Sequence, residues 1–498
     1  MVQTPNCPEL RTVFLVFPLD CSAKNVSVPG MTTVRSRFAP SPTGYLHIGG
    51  ARTALFAYLH AKQQHGTFLL RIDDTDRQRS TQEYLDEIMD AMHWLGLEWD
   101  EGPYFQTQRY GLYQEAAERL LREGKAYRCY CSAEEVDAKR KAALAASQRM
   151  GYDGTCRNYT PPPGDTRPFA LRFKGPKEGE TVIDDLIKGR VVFQNHELDD
   201  LVIVRTDGTP IYNFCSVVDD ADLHITEIVR GDDHLTNTPR QALLFHALGA
   251  ELPRFAHLPL ILGNDRAPLS KRHGATAVSA YREMGYSPDA LVNFLARLGW
   301  ASGDQEIFSR AELIEKFRLE DVGKSAGVFN AEKLQWLNAH YLKEMSAAQL
   351  AQAVKPFIAK KGYPVPTDDE WLARMVTTLQ ARAKTLVEIV EQAHYYLSDE
   401  IPFDPKAANQ FLTSATCPLV EKIRSRLADL PTWNEHTLEP VFTDLLHEEQ
   451  LKNLGQLAQP VRVALTGGTV SPGIFEVMAV LGRERTLARL ARAAAVGQ

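Results

Sequence analysis

Two short runs in this chain have residue types and spacing that could do chemistry: His47-Ile48-Gly49-Gly50 and, far downstream, Ser270-Lys271-Arg272. The first stands where two prolines and a turn give way to a helical pattern, so Gly49 and Gly50 leave the opening helical turn without side chains. A ligand can lie against bare backbone there, with an anionic group near the positive end of the helix. His47 adds a hydrogen-bond donor at the same place. The second run follows ILGNDRA and reads as a polar, cationic loop whose Ser270, Lys271 and Arg272 suit phosphate oxygens. Alone, each run is commonplace, since Ser-Lys-Arg is generally solvated surface and a histidine at a helix start is often a cap. Both on one domain, in this order, point to a site.

The elements around them must position these residues. TVRSRFA (33–39) reads as a strand closed by a PSPTG turn. From His47 to His65 the apolar residues Ile48, Leu55, Phe56 and Leu59 fall at helical spacings, and Gly66 is predicted as the glycine just past the helix end. TFLLRI (67–72) is a second strand, so strand, helix and strand form a βαβ unit and imply a parallel sheet. Residues 113–209 interrupt this pattern with the helical GLYQEAAERLLREG, three cysteines and a proline run. HITEIVRG (224–231) and TPRQALLFHALG (238–249) return to strand and helix, and after 337 the pattern is helical almost throughout.

Composition narrows the class. With 498 residues, 44% hydrophobic and 24% charged, the chain is long enough for several domains and is not a disordered one. A net charge of −7 rules out a strongly basic nucleic-acid-binding domain overall, although a local basic face would suffice for RNA. No apolar run reaches a membrane span, and seven scattered cysteines do not form a disulfide framework, so the chain reads as cytoplasmic with no membrane partner. Residues 1–30 have weak periodicity and end in Pro29-Gly30. They are expected to be a poorly ordered extension before an effective start at Met31.

RFAPSPTGYLHIGGARTAL, LRIDDTD, LEWDEGPYFQTQR, KAYRCYC, ELDDLVIVRTDG, YNFCSVVDD, NTPRQ and LSKRHGA together resemble the bacterial glutamyl-tRNA synthetases, class I aminoacyl-tRNA synthetases. The resemblance is strong over 33 to about 345 and looser beyond. It implies a Rossmann-type α/β catalytic domain split by an α+β insertion and followed by an all-α anticodon-binding part. The expected pieces are the extension 1–30, catalytic halves 31–112 and 210–263, an acceptor-end-binding insertion 113–209, a stem-contact region 264–336 carrying the SKR loop, and helices 337–498. The implied activity is glutamate–tRNA ligation, with L-glutamate first activated by ATP and Mg²⁺ and then passed to the 3′ end of glutamate tRNA. Glutamine tRNA is a second potential acceptor. A monomer is expected.

The resemblance also implies roles for single residues. His47 and Lys271 would stabilise charge growing on the phosphates, and Gly49, Gly50, Ser270 and Arg272 would join Lys271 in holding ATP. Pro268 stands where relatives usually have lysine, with Arg266 or Arg272 as compensation. Arg37 and Tyr212 would take the side-chain carboxylate of glutamate, Arg230 would lie near its carboxylates, and Ala39 and Ser41 would line the site. Asp73 replaces the family's usual glutamate facing the α-ammonium. Cys129, Cys131 and Cys156 match the spacing of a zinc loop, but Asn158 replaces the closing histidine. Tyr152 is then the substitute ligand, or the loop holds only reduced, half-buried cysteines. Arg485, Arg489 and Arg492 form a helical cationic stripe suited to phosphates, or a solvated face, and Arg382 lies near where relatives read the anticodon.

Overall fold

The computed structural model describes residues 33–145, 151–270, 272, 274 and 276–496; the extension expected over 1–30 lies outside them. Its strands in chain order are β1 (Arg35–Phe38), β2 (Thr67–Ile72), β3 (Glu101–Phe105), β4 (Ala126–Cys129), β5 (Ala170–Phe173), β6 (Glu180–Asp185), β7 (Gly189–Gln194), β8 (Val202–Val204), β9 (Glu227–Gly231), β10 (Arg254–Leu258), β11 (Ile261–Leu262) and β12 (Gly327–Val328). The first six helices are α1 (Ile48–Gln63), α2 (Gln82–Trp94), α3 (Tyr110–Arg122), α4 (Ala133–Ala145), α5 (Tyr212–Asp222) and α6 (Thr238–Leu248).

The main sheet runs β3-β2-β1-β9-β10-β6-β7. All its pairs are parallel except the closing β6–β7 hairpin. Such a sheet is covered on both faces, which is why β2 reads as a near-continuous apolar run and is buried from Phe68 on. The chain leaves β1 toward β2 on one side, whereas β9, its other neighbour, arrives much later. The carboxyl ends of β1 and β9 therefore flank a topological switch point, where open α/β sheets form their ligand crevice.

The βαβ unit has the predicted elements but a different helix end. The left-handed residue is His65, at φ 53°, and Gly66 follows it. His65 N–H donates to the Lys62 carbonyl and Gly66 N–H to the Ala61 carbonyl, the double closure of a Schellman turn. Gly66 is required for a separate reason: a Cβ there would sit 2.2 Å from the Val34 carbonyl oxygen.

The stretch 113–209 does not form one body. β4, β5 and β8 make a small antiparallel sheet. Tyr113, Ala117 and Leu120 of α3 join its core with Phe214 and Val217 of α5 and Phe245 of α6. The β6–β7 hairpin from the same stretch instead extends the main sheet beside β10. After β12 the described residues contain no strand; helices from Ala331–Glu344 to Arg483–Ala494 bury their own core, from Leu342 to Ala494. No helix among the described residues is long and apolar enough to cross a membrane.

Candidate active site

A cleft of about 400 Å³ opens at the switch point and is lined by Arg37, Ala39, Ser41, His47, Gly49, Gly50, Tyr212 and Arg230. Eight residues predicted from the sequence thus share one cavity. Asp73 lines a larger adjoining cleft of about 1100 Å³, which shares Ser41, Tyr212 and His234 with the first.

His47 is the N-cap of α1, with extended backbone, and its Nδ1 accepts the Gly50 N–H at 3.2 Å. Accepting at Nδ1 leaves the ring proton on Nε2, so the neutral ring can still donate. Surrounding protein desolvates the imidazole and lowers its pKa, with Asp233 pulling weakly the other way. Gly49 makes this cap sterically feasible: an added Cβ would lie 2.9 Å from the imidazole.

The two motif-bearing stretches are hydrogen-bonded together. Ile48 N–H donates to the Thr276 carbonyl at 2.8 Å and Val278 N–H to the Leu46 carbonyl at 2.9 Å, around an antiparallel bridge between His47 and Ala277. On the other flank, Leu269 N–H donates to the Ile261 carbonyl at the start of β11. Both ends of the Ser-Lys-Arg run are therefore anchored beside the cleft. Lys271 itself lies outside the described residues. Arg272 forms an exposed ion pair with Asp265 at 3.1 Å, and Arg266 is exposed in the left-handed region at φ 60°.

Beneath the cleft lies a buried charge network that sequence reasoning missed. Arg37 grips Asp220 through Nε and Nη2, at 3.0 and 3.1 Å. Arg71 donates to Asp220 at 2.7 Å, to Ser216 at 2.9 Å and to both carboxylate oxygens of Asp73. Asp219 alongside accepts from Gln106, Arg109 and Tyr113. Burial lifts Asp73 to about 6, against the pull of Arg71, while Arg37 and Arg71 overcome burial to hold Asp220 below the usual carboxylate range. The available signal was an arginine inside the apolar strand TFLLRI and two adjacent acids inside the apolar helical run FCSVVDD, since charges in such places need buried partners.

Arg230, also buried, differs from Arg37. Its three nitrogens donate to the neutral acceptors His257, Gln241 and Thr238, and burial lowers its pKa to about 10. Tyr212, whose hydroxyl lies 3.3 Å from His234 Nδ1, titrates above the usual phenol range because it is buried.

The cysteine loop closes as a cluster. The sulfurs of Cys129, Cys131 and Cys156 lie within 4.8 Å of one another, and Cys131 and Cys156 are 3.6 Å apart. Zinc with thiolate bonds of about 2.3 Å sets its sulfurs about 3.8 Å apart, so the three cysteines fit that ion. The Tyr152 hydroxyl is 3.4 Å from Cys129 and 3.9 Å from Cys131, and accepts the Cys156 N–H at 2.8 Å. Asn158 is exposed. Burial pushes the Cys131 thiol up to about 11. It works to raise Cys156 too but is outweighed there by hydrogen bonds from the Tyr130 backbone, Tyr152 and the other cysteines.

The C-terminal arginine stripe is anchored to backbone carbonyls of the helical part. Arg485 donates to the Tyr396 carbonyl at 2.9 Å, buried Arg489 to Ser398 and Leu465, and Arg492 to Ile401. Arg485 also pairs with Asp399 at 2.8 Å, and Arg492 is exposed. Arg382 is exposed.

Residues 33–336 match the family of class I tRNA synthetase catalytic domains for glutamate and glutamine, and residues 349–494 match an anticodon-binding domain. The chain is 55% identical to the glutamate–tRNA ligase of Geobacter sulfurreducens over 465 residues, covering 93% of this chain and 99% of that protein. It is 54% identical to that of Thermodesulfovibrio yellowstonii, covering 92% and 99%. The crystal structure of a glutamate tRNA ligase from Elizabethkingia meningosepticum, in complex with its amino acid, superposes with a TM-score of 0.84 at 31% identity, covering 94% of this chain and all of that one.

Proposed function

The chain belongs to the class I glutamate–tRNA ligases, and we propose that its switch-point cleft forms glutamyl-adenylate from ATP and L-glutamate and then transfers glutamate to the terminal ribose of tRNA. The observation that carries the site assignment is the hydrogen-bonded union of the His47 turn with the Thr276–Val278 segment, at the mouth of a cleft lined by the buried arginines Arg37, Arg52 and Arg230.

In the first step a carboxylate oxygen of glutamate attacks the α-phosphorus in line and pyrophosphate leaves, so negative charge grows on phosphate oxygens. His47 Nε2–H, Ser270, Lys271 and Arg272 are the donors for that charge, and the bare backbone of Gly49 and Gly50 receives adenosine. ATP enters as its Mg²⁺ complex. Losing the Lys271 ammonium is expected to cost about 3–4 kcal/mol of transition-state stabilisation. In the second step a ribose hydroxyl attacks the adenylate carbonyl and AMP leaves.

Glutamate is chosen by charge and shape. Asp220 occupies Nε and Nη2 of Arg37, which presents Nη1 to the side-chain carboxylate together with Tyr212. Arg230 offers a second cation with no carboxylate partner among the described residues, Asp73 receives the α-ammonium, and Ala39 and Ser41 form the wall. A zinc ion held by Cys129, Cys131 and Cys156, with Tyr152 at the fourth position, would pin the loop that follows β4. The division of labour has 113–209 gripping the acceptor end, 264–336 contacting the stem and 337–498 reading the anticodon, in a cytoplasmic monomer.

Aminoacylation with labelled glutamate and ATP, offering glutamate tRNA and glutamine tRNA separately, tests this reading. Charging of glutamate tRNA that Lys271→Ala abolishes is the expected result. Charging of glutamine tRNA as well would identify a non-discriminating enzyme. Undiminished charging by Lys271→Ala would remove Lys271 from the mechanism.

A further inference from the structure

Arg230 lies buried at the cleft, yet its guanidinium makes three hydrogen bonds to neutral groups: Nε to His257 Nε2 at 3.1 Å, Nη1 to Gln241 Oε1 at 2.7 Å and Nη2 to Thr238 Oγ1 at 2.8 Å. A buried cation without a counterion attracts an anionic ligand, provided its orientation is held by groups that do not neutralise it. The acceptor at Nε is the demanding one. An imidazole nitrogen can accept from Arg230 only if it carries no proton, and a protonated ring would also set two cations against each other.

The structure meets this demand through Asp185. His257 Nδ1 lies 2.5 Å from Asp185 Oδ2, and both residues are buried. A carboxylate accepts, so the ring proton sits on Nδ1 and Nε2 is left bare. The Thr238 hydroxyl, 3.0 Å from the same Nε2, accepts from Arg230 and can give its own proton to the His234 carbonyl at 3.3 Å. Asp185 is itself fixed: Oδ1 accepts the N–H groups of Ile187 at 2.9 Å and Lys188 at 2.8 Å, in the turn between β6 and β7. A chain of hydrogen bonds thus runs from that turn through Asp185 and His257 to Arg230.

We propose that His257 and Asp185 are positioning residues for glutamate recognition, holding Arg230 charged, unpaired and aimed by keeping an unprotonated imidazole nitrogen against its Nε. The proposal rests on Arg230 binding a substrate carboxylate, so the experiment tests the two separately. His257→Phe keeps the ring volume without an acceptor, Asp185→Asn removes the charge that fixes the tautomer, and His257→Gln returns an amide oxygen near the Nε2 position. Steady-state charging of glutamate tRNA by the full chain is expected to show the glutamate KM raised at least about tenfold in the first two, with the ATP KM within about twofold of the parent, and largely restored in His257→Gln. Equal rises in both KM values, or no difference between His257→Phe and His257→Gln, would overturn the proposal. Arg230→Gln is run alongside. If it leaves the glutamate KM unchanged, the carboxylate reading of Arg230 fails; if it raises the KM while His257→Phe does not, only the positioning role fails. A ¹⁵N-histidine spectrum of the unaltered protein needs no variant to fold: a bare Nε2 on His257 supports the proposal, and a protonated one overturns it.

Discussion

Asp73 shows how a buried charge network sets the protonation state of a carboxylate at the cleft, and with it the working range of the pocket proposed above. Its carboxylate is pulled toward ionisation by Arg71 and pushed from it by burial and by Asp219, and burial wins, leaving it near 6. Because this exceeds the value in an unfolded chain, the native state holds a proton that the unfolded state releases between about pH 4 and 6, and Asp73 withdraws stability as pH rises through that window. Binding runs the opposite way, since only the ionised form attracts an α-ammonium. The glutamate KM is therefore expected to climb about tenfold per unit as pH falls below about 6, and Asp73→Asn should give a high KM with no such slope. Glutamate KM measured from about pH 5 to 7.5 checks this; an unchanged slope in Asp73→Asn would assign the titration elsewhere. The sequence showed an aspartate in a motif, two residues after Arg71. It could not show that Asp220 joins them, because that pairing spans 149 residues of the chain.

At the scale of elements, the local signals read well and the long-range ones did not. TFLLRI is a strand over the residues read as one, and the helix from His47 ends within two residues of its predicted close. The Gly66 reading located the helix end but gave the left-handed position to the wrong residue, since the glycine answers to the Val34 carbonyl across the sheet. The β6–β7 hairpin was missed in the same way: its attachment to β10 depends on a register that no local pattern encodes. The HIGG turn is the element where local and functional demands meet. An alanine at Gly49 would put its methyl 2.9 Å from the His47 ring and force the ring off the Gly50 N–H. Loss of the cap costs only about 1 kcal/mol, whereas displacing a catalytic donor by about 1 Å can lower a rate about 10²-fold. Gly49→Ala is thus expected to fold, with a small drop in thermal midpoint and a large drop in ATP–pyrophosphate exchange assayed with tRNA present. Exchange within about twofold of the parent would mean that the imidazole's placement does not matter to the chemistry.

Across the whole molecule, the question is how a helical part with its own core is tied to a cleft built on a different sheet. The arginine stripe of the last helix illustrates the hazard of reading surfaces from spacing: Arg485, Arg489 and Arg492 recur at helical intervals because they hold the carbonyls of the 396–401 segment, a role invisible without the fold. The helix Ala331–Glu344 spans both parts, with Leu334 and Leu337 in the core under the sheet and Leu342 in the helical core, and a hydrogen-bonded residue on it fixes the joint. Asn338, fully buried, accepts the Ser287 N–H at 2.7 Å and donates to the Lys384 carbonyl at 2.6 Å, joining the start of the helix Pro288–Arg297 to the segment before Leu386–Gln392. Close by, Leu386 N–H donates to the Gly285 carbonyl, where a Cβ would lie 2.7 Å from the Val387 nitrogen. Asn338→Ala would strand the buried Ser287 N–H at about 1–3 kcal/mol and release the carbonyl of exposed Lys384, without touching any residue of the cleft. Glutamate and ATP KM values should therefore stay at the parent's, while kcat/KM for tRNA falls, because a loosened joint no longer holds the anticodon part and the acceptor site at one fixed separation. Calorimetry of the same variant should resolve two transitions where the parent shows one. A single transition at the parent's midpoint, with unaltered tRNA kinetics, would mean that Asn338 bears none of the coupling and that the backbone contact at Gly285 suffices.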